Sequence, residues 1–226
     1  MIEFENLYQK ELLELDEIIN LNIDLFSSIC KNNEELVKTN IEFIFLILRS
    51  VDYYISAIYL LKQRAFFESL SIARQSIESA AVTVHIQGNP KIYEKFKALK
   101  YDSTSAIKYT TKLIQGLGRL WGNLSNVGVH PNSIQGVSQK SNVINFCSSP
   151  FLNPGEAKYS PELDQYMILT LKISGNVIYR CFEILTSDFS KKDQANEIQN
   201  ECLNYTNRNT AEILDELLKD YSFYRH

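Results

Sequence analysis

Apolar residues recur at steps of three and four along most of the chain, a period that predicts helices. Residues 3–30 carry Leu12, Leu15, Ile19, Ile23 and Phe26 as one stripe, and Lys31-Asn32-Asn33 reads as a turn. The most apolar stretch follows over about 34–63, and a third helix is expected over about 65–87, with Leu70, Ala73, Ile77, Ala80 and Val84 toward the core. Gly88-Asn89-Pro90 ends that helix and opens another, with Gly past the stop and Pro just inside the start. The fourth pattern covers about 90–115 with a break near Asp102-Ser103. Gly116 and Gly118 bracket a joint before a fifth helix over 117–128, whose apolar stripe is Leu117, Leu120, Leu124 and Val127.

Residues 131–160 lose the helical period and are rich in Ser, Asn, Gly and Pro. Structureless runs of that length are uncommon in compact domains and are usually functional or mobile. Within this run 133–137 and 142–146 could pair as a small hairpin. Ser160 is an N-cap candidate for a long helix that follows, with Pro161 and Glu162 in its first turn. A polar, acid-rich helix is expected over about 191–219, with Ile198, Ile213, Leu214 and Leu217 on one side. The expected architecture is one all-α domain over 1–226. It is a bundle of six or seven helices with a long loop at 131–160 and a polar C-terminal helix in 190–226.

With 226 residues, 45% of them hydrophobic, the chain can bury one good core. Its net charge of −4 argues against a generic nucleic-acid binder or a reader of DNA sequence. The charge is unevenly spread, however. Lys91, Lys95, Lys97, Lys100, Lys108, Lys112 and Arg119, against Glu94 and Asp102, make 89–119 a +5 segment in an acidic protein. Lys97, Lys100, Lys108 and Lys112 are candidates for a phosphate-facing surface, beside the alternative of a solvated helix face. Cys30, Cys147, Cys181 and Cys202 are far apart and suit free thiols in a reducing cytoplasm. The acids of MIEFENLYQKELLELDEII do not suit a secretory leader. The apolar stretch 41–61 contains Glu42, Arg49 and Asp52, each expensive inside a bilayer, so a buried helix is expected and a membrane partner is not. In that reading Arg49, Asp52, Ser56 and Tyr59 form a buried polar seam.

Polar residues beside the apolar stripes carry the candidate chemistry. Ser71, Arg74, Glu78 and His85 share one face of the third helix, and Arg74 and Glu78 stand four apart, within pairing distance. Arg119, Asn123, Asn126 and His130 form a polar stripe on the fifth helix. Asn is unfavourable in mid-helix unless its side chain has a partner, so a polar network joining the two helices is expected, including Ser125; a solvated face is the alternative. Pro131 disfavours the helical region for His130, and Gly128 is a natural exit. His130 is therefore expected just past a helix C-terminus, where the dipole favours its protonated form. No Gly-rich nucleotide loop and no metal-ligand spacing is present, and no cofactor is expected.

The run IARQSIESAAVTVHI, the basic segment after it, and LSNVGVHPN together resemble the HEPN superfamily of small all-α bacterial domains, near a family of unassigned function. The shared pattern is an Arg-x-x-x-Glu followed by a Ser-x-x-x-x-His-Pro, here Arg74, Glu78, Ser125, His130 and Pro131, and it spans about 45–135. The resemblance implies a helical fold, a homodimer, and a place in bacterial stress, toxin–antitoxin or phage-defence systems. HEPN domains act as metal-independent ribonucleases or as non-catalytic modules.

The nuclease version places an Arg four to six residues before a His, so that both reach one phosphate. No Arg stands at that distance before His130 or His85. Arg119 is eleven positions ahead of His130, roughly 16 Å along an unbroken helix, and its side chain leans away. Three readings follow. The first is a non-catalytic HEPN-like module binding RNA, a nucleotide or a partner protein. The second is a divergent ribonuclease using His130 and Arg119. The third is a structural interaction bundle.

Overall fold

The computed structural model describes residues 2–32, 41–87, 89–128 and 161–187. The turn at 31–33, the loop at 131–160, its expected hairpin, His130, Ser160 and the expected helix at 191–219 lie wholly or partly outside these residues. Among the described residues the chain is all-α and contains no strand. Its helices are α1 (Ile2–Leu7), α2 (Gln9–Asn32), α3 (Ile41–Lys62), α4 (Phe66–Gln87), α5 (Pro90–Lys97), α6 (Ser103–Thr110), α7 (Leu117–Gly128) and α8 (Pro161–Ser187).

Among the described residues eight helices appear where periodicity predicted six, because two long patterns are each divided. The first divides at Tyr8, although Tyr8 N–H still bonds to Phe4 O and Leu12 N–H to Tyr8 O. The fourth divides at 98–102. Asn89 caps α5 by accepting from Lys91 N–H at 3.2 Å, and Asp102 caps α6 by accepting from Thr104 N–H at 3.0 Å. A stretch of turns over 111–116 then leads to α7.

Helix α4 lies at the centre, packed against α3 on one side, α8 on another, and α5, α6 and α7 elsewhere. Twelve of its 22 residues are buried, and from Ala80 to Ile86 the burial is unbroken. Continuous burial over two turns means neighbours on every side, which an amphipathic helix does not tolerate. Short side chains allow the close approach to α3. Ser50 Oγ donates to Ser76 O at 2.9 Å, Ser76 Oγ donates back to Ser50 O at 2.6 Å, and Ser69 Oγ donates to Ala57 O at 2.8 Å. The expected α4 stripe, Leu70, Ala73, Ile77, Ala80 and Val84, is buried throughout.

Two expectations are corrected. On α2 the buried line runs through Leu12, Leu15, Ile18, Asn22 and Ile29, and Ile23 faces outward. On α3 the residues expected in a buried polar seam, Arg49, Asp52, Ser56 and Tyr59, are exposed. Apolar residues occupy every face of α3, so its sequence did not indicate which side would be covered.

Helices α3 and α4 are joined by a tight reversal. Arg64 N–H bonds to Leu61 O at 2.8 Å and Ala65 N–H to Leu60 O at 2.9 Å, a Schellman closure with Arg64 in the left-handed region at φ +58°. Glycine usually fills that position. Here Arg64 is held by an ion pair to Asp164 at 3.3 Å and by the Phe4 ring, 5.3 Å beneath its guanidinium.

Helix α8 crosses α2 and α3 at Gly175. A Cβ built there would lie 2.3 Å from Tyr54 Oη and 2.5 Å from Ile18 Cγ2. Tyr54 is fully buried and donates to Leu171 O at 3.0 Å, while Asn22 Nδ2 donates to Ile18 O at 2.8 Å and Gly175 O at 3.3 Å. Nothing stands within 4 Å of a Cβ built at Gly122 on α7. Gly175→Ala is therefore expected to destabilise the fold by about 1–3 kcal/mol through overpacking. Gly122→Ala should stabilise it by up to about 1 kcal/mol through helix propensity. Chemical denaturation of the two variants checks the contrast.

Candidate functional site: a polar tie and a basic cover

The sequence-predicted Arg74–Glu78 pair forms, with Arg74 Nη2 2.8 Å from Glu78 Oε1. The two side chains are 23% and 18% exposed, so this is a half-buried pair and not an ordinary surface one. The partner that sequence reasoning missed is Trp121. Its Nε1 donates to the same Glu78 oxygen at 2.9 Å, and the Arg74 guanidinium lies 4.9 Å over its ring. One carboxylate oxygen thus accepts from both, and the cation also rests on the indole face. Arg74 Nε is buried with no hydrogen-bond partner among the described residues. Trp121 is the only tryptophan of the chain and stands one step off the Leu117–Leu120–Leu124 stripe, which is the signal that could have found it.

The other candidates separate. Ser125 is buried and donates to Trp121 O at 2.8 Å, so it serves its own helix one turn back. Asn123 is half-buried and Arg119 is exposed. The side chain of Asn126 lies outside the described residues, as does His130, so the geometry proposed for a His130 nuclease centre is not on view.

His85, expected on the Arg74–Glu78 face, belongs to a different cluster. It is buried, its Nδ1 lies 2.8 Å from the Tyr101 hydroxyl, and its ring stacks on Tyr109 at 4.6 Å between centroids. Phe96 meets Tyr101 edge-on at 5.9 Å. Burial lowers the His85 pKa, which favours the neutral ring. The cluster fixes α5 and α6 to the end of α4, and Thr110 adds a bond from its hydroxyl to Ala81 O at 3.3 Å.

These short helices carry the basic segment. Lys91, Lys95, Lys97, Lys100, Lys108 and Lys112 are all exposed. Lys97 pairs with Glu94 at 3.1 Å and lies 4.5 Å over the Tyr93 ring, and Tyr93 in turn donates to Glu42 at 3.3 Å. Helix α5 closes on Leu99, with Leu99 N–H bonded to Phe96 O and Lys100 N–H to Lys95 O, both at 3.0 Å. Leu99 has φ +56° and is 93% exposed. A leucine held in the left-handed region is strained, and this one gains no burial in return.

A third charged cluster sits at the opposite end of α4. Asp164 is buried, pairs with Arg64, and accepts from the Tyr8 hydroxyl. Burial nonetheless outweighs both partners and pushes its carboxyl up to about 6. Among the described residues, no group of three or more His, Cys, Asp or Glu is placed to hold a metal ion. Cys181 is fully buried, and burial pushes its thiol up to about 12, which suits a packing residue.

Comparison with known proteins finds no matching family model, no matching curated protein and no matching solved structure.

Two outcomes are expected. Arg74→Ala and Trp121→Phe should each destabilise by about 1–2 kcal/mol, and the double variant should cost less than their sum by about 1 kcal/mol, since both act on one Glu78 oxygen. Additive losses would show that the three groups are independent. For Asp164, the folded pKa lies above the ordinary 3.8, so the folded state holds the proton more tightly. Stability from this group is complete below about pH 4 and is lost as pH rises through about 6. Asp164→Asn should remove that fall, on the order of 2–3 kcal/mol, from the pH–stability curve measured between pH 4 and 7.

Proposed function

We propose that the chain is a non-catalytic HEPN-like helical module that binds RNA through the basic cover formed by α5, α6 and the turns after α6. The observation that carries this reading is the exposure of Lys91, Lys95, Lys100, Lys108 and Lys112 on a +5 segment of a −4 chain. Such a segment attracts phosphate while the rest of the surface repels it. The exposed, strained Leu99 among Lys95, Lys97 and Lys100 supports the same reading, because it supplies an apolar tip for an unstacked base. The Arg74–Glu78–Trp121 tie fits a structural role, with its ion pair spent on joining α4 to α7. In keeping with the HEPN resemblance, the setting proposed is the cytoplasm of a bacterium under stress or phage attack.

The test is fluorescence anisotropy of a labelled single-stranded RNA over a range of salt concentrations. Wild type should bind with an affinity that falls steeply with salt. Lys100→Ala, Lys108→Ala and Lys112→Ala combined should reduce the log–log salt slope by about 2, since each lost phosphate contact removes about 0.7 on single strands. Leu99→Gly should bind more weakly and yet melt at a higher temperature, since glycine relieves the left-handed strain. Absence of binding at low salt, or binding indifferent to the lysine substitutions, contradicts the proposal.

A further inference from the structure

The outward face of α3 carries four exposed large apolar side chains. Phe45 is 61% exposed, Leu48 38%, Ile55 39% and Tyr59 63%, and with Asp52 they recur at steps of three and four on one side. Helix α3 is long and apolar enough to cross a membrane by length and composition, and only 39% of its most apolar window is buried within the protein. A stripe of this kind on a helix already packed on its other face marks a second contact. Two charges stand in its middle. Arg49 is exposed, with Nε donating to the Tyr53 hydroxyl at 2.7 Å and its guanidinium 4.9 Å over that ring. Asp52, also exposed, lies three positions on.

We infer that this face pairs with the same face of a second copy of the chain, the two α3 helices running antiparallel about a two-fold axis. The charge pattern selects this occupant. A two-fold contact is self-complementary, so residue i meets j while j meets i. Antiparallel pairing centred between positions 50 and 51 sets Arg49 against Asp52 of the partner subunit, and Asp52 against Arg49 of the partner subunit. The Phe45–Leu48 half of each stripe then covers the Ile55–Tyr59 half of the other. Parallel pairing would oppose Arg49 to Arg49 and Asp52 to Asp52, which repel. Inside a bilayer Arg49 and Asp52 would each cost roughly 3 kcal/mol at the helix centre, whereas the two-fold contact sets an opposite charge across the seam from each. A charged residue within an apolar seam is also how paired helices fix their register. This inference is independent of the RNA-binding reading, since none of its residues belongs to the basic cover.

The experiment is sedimentation velocity of the full chain across a concentration series. Wild type should shift from the 26.1 kDa monomer to a species of twice that mass. A single helix seam is a small interface, so a dissociation constant on the order of 10 μM is expected. Arg49→Asp and Asp52→Arg should each weaken the dimer at least tenfold by opposing like charges. The double exchange in one chain should restore wild-type affinity to within about threefold, because the isologous pairs re-form with reversed sign. Circular dichroism melts of these surface variants verify that they fold. A wild type that stays monomeric at ~0.5 mM overturns the inference. So does a dimer indifferent to the single exchanges, or a double exchange no better than either single. A monomer that cosediments with phosphatidylcholine–phosphatidylserine vesicles, and loses this with Ile55→Glu, would assign the stripe to a membrane and equally overturn it.

Discussion

The surrounding of α4 on all sides is the constraint from which the rest of the fold follows. A helix buried over Ala80–Ile86 presents mostly short or apolar side chains to its neighbours, and its polar groups, His85 among them, must find partners inside the protein. Ser50 and Ser76 exchange bonds with each other's carbonyl, Ser69 reaches α3, Thr110 reaches α4 from α6, and Gln87 reaches Leu185 O on α8 at 3.4 Å. These bonds run from side chain to backbone, so they fix the depth and register of each neighbouring helix. The longer polar residues of α4, Arg74, Glu78 and His85, lie where its neighbours provide Trp121, Tyr101 and Tyr109.

That arrangement divides the polar side chains between the interior and the solvent. Arg74 and Glu78 of α4 are consumed in holding α7, and His85 in holding α5 and α6. The charges on α5 and α6 remain exposed. The short helices are fastened from below by aromatic rings, so their lysines need no internal partner to keep their place, Lys97 excepted. A basic surface set on a packed mount in an acidic protein fits the proposed meeting with phosphates.

Much of this was legible in the chain. The α4 stripe, the Asn89-Pro90 start of α5, the break at Asp102 and the Arg74–Glu78 pair each follow from local rules of period, capping and spacing, and each is present. What was not legible depends on tertiary neighbours. Trp121 as the third member of the Arg74 cluster requires α7 to lie across α4 at one rotation. His85 shares a face with Arg74 and Glu78, but the neighbour over its turn is the α5–α6 pair and not α7. The orientation of α3 was misread because apolar residues at all angles carry no moment strong enough to choose a side. Arg64 and Leu99 in left-handed closures were equally hidden, since neither is a residue that local preference places there.

The function proposed for the chain is to hold RNA without cutting it. The most direct measurement is a pair of gels run on one incubation of the wild-type protein with labelled RNA and EDTA, one native and one denaturing, beside His130→Ala. The account predicts retarded RNA on the native gel and intact RNA on the denaturing gel for both proteins. Cuts made by wild type and lost with His130→Ala would contradict it and establish a ribonuclease.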